Sequence, residues 1–512
     1  MNQPSRTLVV ALNAASNYAR FGLNIVVWFF LTPYMIHRLG ENDFGLWTLV
    51  FSVVGFFGLL DMGLGTGVVK FVAEAQGAGD PQRRNRLVST IACVYLALAL
   101  LASLGVALLS LFFNRIFSLP PEQGHLALPL LWLVALRAVI LALPLGVYRS
   151  VLFGEQQIAL LNLVQVVSNL AYGLLSWAIL AGGGGVLPLA WAGLGLMLVE
   201  HLAYLVLARR RIPDLRLSPR LFDRDLLRHA VGFSFYSLAV NVAALILLRT
   251  DPVIVKLFLP LGAVALYGVV LRIGENSLLL TKQFINVLAP LVAQLQGSGE
   301  SLKIRFVLVN CTKFACAPAA MLSVGAFCLG RPGLEFWVGP SFAEVAPVLW
   351  TLMLALSLSV PQMTASTVLT MTGGHRFAAL AAMCSVLLNL AASLALVRPL
   401  GLLGVALGTL LTTLVVDIGL VLPRALARQG VPILDYVRQV APAVLLPALV
   451  QAGITLGLLA AREPANLFQV VLWAAPGALA YLAVFWAFFL QDSEKELLRA
   501  KLLPARAGEG RR

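Results

Sequence analysis

Charge is what this sequence has least of. Only 12% of its 512 residues are Asp, Glu, Lys or Arg, whereas 60% are hydrophobic, and the mean hydropathy of +0.90 lies far outside the range of globular chains. A soluble fold is thereby excluded. Long polar stretches are missing too: the longest connection, near 209–228, is too short for an independent core. The cysteines Cys93, Cys311, Cys316, Cys328 and Cys384 all sit in apolar runs without metal-ligand spacing, so they read as small buried hydrophobes. Neither a nucleotide-phosphate loop nor a catalytic triad is present, which leaves ATP-driven pumping and glycosyl transfer without a chemical basis. The chain is expected to be no enzyme and to need no cofactor.

The apolar runs that remain are long enough to cross a bilayer, which takes about 20 residues per helix. Spans are expected near 9–36, 44–71, 88–113, 126–149, 158–180 and 186–208, then near 229–250, 262–291, 306–329, 345–372, 377–397 and 401–423, with a further pair near 439–460 and 467–490. This is an all-α polytopic membrane protein of about 14 transmembrane helices. The first apolar run holds Asn13, Asn17, Arg20 and Asn24, unlike the short apolar core of a cleavable leader.

An internal duplication orders these spans. Val72-Ala73-Glu74-Ala75-Gln76-Gly77-Ala78-Gly79-Asp80 reappears as Val292-Ala293-Gln294-Leu295-Gln296-Gly297-Ser298-Gly299-Glu300, identical at five of nine positions. The same offset carries Phe44-Gly45-Leu46-Trp47 onto Val264-Ala265-Leu266-Tyr267, Gly154 onto Gly374 and Asn169 onto Asn389. Two halves that rock around a shared cavity are the usual meaning of such a repeat in a membrane protein. The expected organisation is a six-helix bundle over 1–208, a cytoplasmic linker over 209–228, a second bundle over 229–428, an additional pair over 429–490 and a tail over 491–512.

Net charge is +14, but the basic residues show no nucleic-acid signature. They cluster in alternate connections: Arg83, Arg84 and Arg86, then Arg209 to Arg211, then Lys303 and Arg305, then Arg424, Arg428 and Arg438. The positive-inside rule places these, and with them both termini, in the cytoplasm. The linker from Arg209 to Arg228 reads either as a solvated connection held near anionic lipids or as a short helix on the membrane surface.

Polar residues inside the spans are the candidate site. Asn13, Asn17, Arg20 and Asn24 share one helical face, and an intramembrane Arg points to a partner or to water. The face either lines a cavity or ties helices together. Ser234, Ser237 and Asn241 make a weaker stripe, and Arg137 lies in mid-span. Arg272 and Glu275 either line the cavity or neutralise each other. Asp61, deep in the second run and followed by Gly63, Gly65 and Gly67, is expected to pair with a cation. Lys70, Arg149, Lys282 and Lys313, nearer span ends, are expected to snorkel to headgroups. Glu200-His201 and Asp417 are where a coupling proton or sodium ion would bind, or where a hydrogen bond would cap a bundle. Pro144 and Pro361 are candidate bending points.

The run Asn17-Tyr18-Ala19-Arg20, the loop Leu39-Gly40-Glu41-Asn42-Asp43-Phe44-Gly45-Leu46-Trp47 and the stretch from Leu60-Asp61-Met62-Gly63-Leu64-Gly65 through Lys70 to Asp80 resemble the Wzx-type oligosaccharide flippases of bacterial polysaccharide biosynthesis. These belong to the MOP superfamily with the lipid II flippases and the MATE drug exporters. The resemblance implies two six-helix bundles about a central cavity, a location in the bacterial inner membrane, and transfer of a polyprenyl-diphosphate-linked oligosaccharide to the outer leaflet. It further implies contact with membrane lipids and with other polysaccharide-biosynthesis proteins. Arg20, Arg137 and Arg272 argue against a MATE-like exporter of cationic drugs; a non-transporting scaffold is the rival from another class.

Overall fold

The computed structural model describes residues 6–61, 64–286, 288–490 and 495; within these bounds the side chains of 6–11, of 229–241 and of some further positions, among them Lys70, Gln283 and Asn286, lie outside the description. The chain divides into two compact units. One comprises Met1–Val269 with Ala382–Gly408, the other Val270–Ala381 with Thr409–Arg512. Each is described by itself.

The first unit begins with α1, Arg6–Gly55. It is two helices in line of sequence, because Gly40 at φ 79°, ψ 166° interrupts it, a conformation open to glycine and strained for other residues. A single residue thus does the work of the expected loop. The second half of α1 runs into a 3-10 stretch, Phe56–Asp61, and helix restarts as α2, Leu64–Gly77. The expected unbroken span over 44–71 therefore leaves α-helical geometry over Phe56–Asp61. Gly55, Gly58, Gly63 and Gly65 make this the cheapest place in the run to abandon helical geometry.

Next come α3 (Pro81–Ile116), capped by the Asp80 side chain on the Arg83 N–H at 2.9 Å, and α4 (Pro121–Ala135). The chain widens through a π-turn, Leu136–Ile140, before α5 (Ala142–Gly154). Pro144 offers no N–H to the carbonyl of Ile140 one turn earlier, and here the Leu141 N–H reaches back five residues to the Leu136 carbonyl. The irregularity expected at Pro144 thus lies just before it. The unit continues with α6 (Ile158–Ala181), α7 (Val186–Arg211), α8 (Arg224–Phe258) and the first part of α9 (Leu261–Asn286).

Its core is aliphatic. Leu64, Val68 and Val72 of α2 pack with Leu87, Val88 and Ile91 of α3 and with Val147 and Val151 of α5. Ile212 joins them from the connection after α7, and that connection is fastened rather than solvated. Arg84 holds Asp214 at 2.9 Å, Asn85 donates to the Asp214 carbonyl, the Ser218 N–H reaches Ser89 Oγ, and the Asp223 N–H reaches Thr90 Oγ1. Donors (Arg84, Asn85) and hydroxyl acceptors (Ser89, Thr90) on about two turns of α3 thus satisfy a segment with few backbone bonds of its own.

In the second unit the remainder of α9 is followed by α10 (Leu288–Gly297), α11 (Ser301–Val338), the single turn α12 (Pro340–Ala343) and α13 (Ala346–Leu369). Pro361 lies inside α13 without ending it; the chain departs from α-geometry only at Thr370–Gly374. Helix α14 (His375–Thr412) belongs to the first unit over Ala382–Gly408 and to the second at its two ends, and it breaks at Gly401, φ 59°. A π-helical stretch, Thr413–Val421, precedes α15 (Leu422–Arg428), and the additional pair is α16 (Ile433–Ala461) and α17 (Leu467–Phe489). Val292, Leu308, Ala365, Val368 and Leu426 form one core here, and Ala317, Ala443, Tyr481 and Phe485 another.

Ten helical stretches of the described residues are long and apolar enough to cross a bilayer. Large apolar side chains stand on their outsides, among them Leu111, Leu174, Trp191, Phe468 and Phe488. In water such a surface would aggregate; in hydrocarbon it has no cost, which fits the polytopic membrane fold expected from the sequence.

Candidate functional site

Along α1 the polar stripe meets different neighbours at each turn. Asn13 is buried, and its Oδ1 accepts the backbone N–H of Ala159 at 3.0 Å. One turn on, Asn162 Nδ2 of α6 donates both to Ser16 Oγ at 2.8 Å and to Asn17 Oδ1 at 3.0 Å. Asn13, Ser16 and Asn17 therefore fasten α1 to the start of α6, replacing water with amide partners in a place where an unmade bond is costly. Asn24, two turns further, is partly buried.

Arg20 differs from these. It is half-buried, and its Nε is buried without a hydrogen-bond partner among the described residues. Arg149 of α5 and Tyr204 of α7 lie close enough to act on it electrostatically. Tyr204 is wholly buried and donates to Glu200 Oε1 at 2.7 Å, with Arg149 near the same hydroxyl. Helices α1, α5 and α7 thus set the two guanidinium groups within electrostatic reach of each other, while Glu200 is engaged by Tyr204. Like charges held close in a poorly hydrated place repel unless an anion joins them. Chemically, guanidinium groups so placed can offer charge-assisted hydrogen bonds to an oxyanion.

Another arginine of this unit has different surroundings. Arg137, on the π-turn, stands 5.2 Å from the Tyr172 ring centroid and 5.9 Å from that of Phe51. Gly193 of α7 makes the room, since a Cβ there would lie 2.6 Å from Arg137 Nη1. Quadrupoles of the two rings stabilise the cation in place of water.

Carboxylates follow a similar logic. Asp61, at the break before α2, accepts the Tyr95 hydroxyl at 2.5 Å. Tyr95 is the partner the structure shows, in place of the expected cation. Arg272 and Glu275 bond to each other, Nη1 to Oε2 at 3.3 Å, as the pairing alternative for these two requires. Lys313 donates to Asn310 Oδ1 at 3.0 Å rather than standing free for headgroups. Asp417 lies partly buried in the π-helical stretch of the second unit. Asn241 falls in α8, and its side chain, like those of Ser234 and Ser237, lies outside the described residues.

Helical periodicity sets Arg20 on one face with Asn13, Asn17 and Asn24 but does not name its neighbours Arg149 and Tyr204. Arg149 stands near a span end, where snorkelling is expected, and nothing in the linear sequence singles out Asn162 or Tyr204. Arg149-x-x-x-Phe153 and Tyr204 carry no linear pattern that joins them to Arg20; only the packing of α5 and α7 does.

With this geometry in hand, the chain can be set beside known proteins. The profile of the family described as "Polysaccharide biosynthesis protein" matches residues 10–296. The "Uncharacterized membrane protein EpsK" of Bacillus subtilis (strain 168) is 22% identical over 349 residues, covering 66% of this chain and 67% of that protein. Among solved structures, the lipid II flippase MurJ in its inward closed conformation superposes with a TM-score of 0.71 at 15% identity, covering 96% of this chain and all of that one. A multidrug-resistance MATE family transporter of the MOP superfamily, in an inward-facing conformation, superposes with a TM-score of 0.65 at 17% identity over 80% of this chain and 94% of its own. These two likenesses show the fold.

Proposed function

Because this chain belongs to the polysaccharide biosynthesis protein family, we propose that it is a flippase that carries a polyprenyl-diphosphate-linked oligosaccharide from the cytoplasmic to the outer leaflet of the bacterial inner membrane by alternating access. The observation that carries this reading is Arg20 with Arg149 close enough to act on it, neither of them in an ion pair among the described residues, and the buried Nε of Arg20 without a hydrogen-bond partner there. A diphosphate cannot cross hydrocarbon unaided, because its oxygens would lose their water partners. Two guanidinium forks replace those partners with charge-assisted, bidentate bonds. The prenyl tail stays in lipid throughout. MATE-like export of cationic drugs is disfavoured by the sign of this charge.

Both termini lie in the cytoplasm under this reading, with the basic connections. A cysteine at Gly185, which has an extended backbone and open space around it, then reacts with an impermeant thiol reagent in intact cells, and one at Ser218 does not. Gly183 in the same turn has φ 80° and would be strained by the change.

The functional test is reconstitution. Purified protein in liposomes is given a short-chain polyprenyl-diphosphate oligosaccharide on one side, and the fraction reaching the other leaflet is read with an impermeant lectin or glycosidase. Transfer above that of protein-free liposomes, lost in the Arg20→Ala variant, supports the reading. Equal transfer by wild type and Arg20→Ala sinks it, as does wild-type transfer no faster than that of empty liposomes.

A further inference from the structure

The helices that carry Arg20 and Arg149 hold almost no negative charge of their own. Glu200 is the only carboxylate in the sequences of α5, α6, α7 and the part of α1 before Gly40. It is partly buried, and no ion pair joins it to either arginine among the described residues. A single carboxylate within electrostatic reach of guanidinium groups, in a poorly hydrated place, would ordinarily be claimed by one of them. Here the Tyr204 hydroxyl claims it, donating to Glu200 Oε1 at 2.7 Å.

Tyr204 is held firmly enough for that task. Its side chain is wholly buried and packs with Leu152 of α5, Leu161 of α6 and Ala208 of α7. The His201 ring meets it edge-on at 5.8 Å between centroids, and His201 is itself fixed by its Nδ1, 2.9 Å from the Met197 carbonyl oxygen. A ring enclosed by side chains of three helices has no room to swing, so its hydroxyl is a fixed point. Glu200 stands four residues earlier on α7 and therefore on the same face of that helix. Arg149 lies near the same hydroxyl, and Tyr204 in turn acts on Arg20. One immobile oxygen is thus common ground for the acid and the cations.

We propose that Tyr204 is a positioning residue that prevents the protein from filling its own anion site: by holding Glu200, its hydroxyl keeps that carboxylate off Arg20 and Arg149 and leaves their donors to a visiting diphosphate. Without the hydroxyl, the flexible Glu200 side chain pairs with a guanidinium, and an incoming anion has to break that pair before it can bind. The inference rests on the reading of Arg20 and Arg149 as the diphosphate site and adds the contact that keeps the site receptive.

Binding of inorganic pyrophosphate to the whole protein in detergent, measured by titration calorimetry, tests it. Wild type is expected to bind, and Arg20→Ala to lose that binding. Tyr204→Phe keeps the ring and is expected to bind about tenfold more weakly, because an internal ion pair now competes. Adding Glu200→Gln to Tyr204→Phe removes the competing charge and is expected to restore wild-type affinity, a rescue that a merely structural role for the hydroxyl would not produce. Wild-type affinity in Tyr204→Phe overturns the inference while leaving the anion site standing, and so does a double variant as weak as Tyr204→Phe alone. Wild type that binds pyrophosphate no more tightly than Arg20→Ala overturns the site itself and the inference with it. Should Tyr204→Phe fail to reach the membrane, the double variant, which strands no carboxylate, decides: wild-type affinity supports the inference, and affinity near that of Arg20→Ala overturns it.

Discussion

Arg20 and Arg137 are both arginines within the helices of one unit, and their surroundings are opposite. Arg137 is enclosed by the Phe51 and Tyr172 rings, with Gly193 shaped to receive its guanidinium. Arg20 has a second arginine nearby and a buried Nε without a hydrogen-bond partner among the described residues. A protein that needs a cation only to hold helices together supplies it with ring faces or carboxylates. One that needs a cation for a visiting anion leaves it incomplete and accepts the cost in stability. On the proposed function, Arg20 is the cation kept for the anion and Arg137 the one that holds helices together.

The sharpest way to break it is to remove each arginine in turn. Arg20→Ala is expected to lower export of lipid-linked glycan by at least about tenfold, equivalent to roughly 1.4 kcal/mol or more in the transport barrier, at normal membrane abundance. Arg20→Lys keeps the charge but loses the planar fork and is expected to retain part of the activity. Export assayed in a complemented deletion strain, with abundance by immunoblot, checks both; wild-type export by Arg20→Ala would return Arg20 to the structural class.

Arg149→Ala should weaken export in the same assay, by less than Arg20→Ala because Arg149 is the more exposed of the two. The double variant should be no worse than Arg20→Ala alone, since one bound anion engages both. Additive losses would mean separate roles.

Arg137→Ala is expected to cost stability instead, on the order of 2 kcal/mol for a desolvated cation–ring contact, seen as a lower midpoint of thermal aggregation in detergent. Gly193→Ala should act in the same direction by about 1 to 3 kcal/mol, because its Cβ meets the guanidinium. Export per folded molecule should stay near wild type in both. A selective loss of export in either would erase the distinction between the two arginines.

The smallest effect is expected at Asp61. An amide there keeps an oxygen for the Tyr95 hydroxyl, so Asp61→Asn should cost about 1 kcal/mol or less, whereas Asp61→Ala leaves that donor unpaired and should cost about 1 to 3 kcal/mol. The thermal midpoints of the two variants measure the difference. Loss of export in Asp61→Asn at full abundance would move Asp61 from the structural group to the functional one.

Much of this protein was legible in its residues. Runs of apolar side chains about 20 residues long determine membrane helices wherever they occur, since the bilayer leaves a backbone no other way to satisfy itself. The additional pair over 429–490 emerged as α16 and α17, and the motifs of the first 80 residues pointed to the family that the chain belongs to. Helical periodicity put Asn13, Asn17, Arg20 and Asn24 on one face. Discontinuities were less legible: Gly40 and Gly401 turn the chain within single residues, and the break at Asp61 falls inside a run that hydropathy reads as continuous.

What the face of α1 meets was decided by the tertiary structure alone. Ala159 and Asn162 take up Asn13 and Asn17, while Arg149 comes to Arg20 from a helix that begins more than a hundred residues later. Local pattern fixes which side chains a helix shows and on which side, because that depends on backbone geometry shared by every helix. It does not fix whether a buried polar group finds a carboxylate, a ring, an amide or a second cation, because that depends on how distant helices pack, and only the packed bundle distinguishes the finished environment of Arg137 from the unfinished one of Arg20.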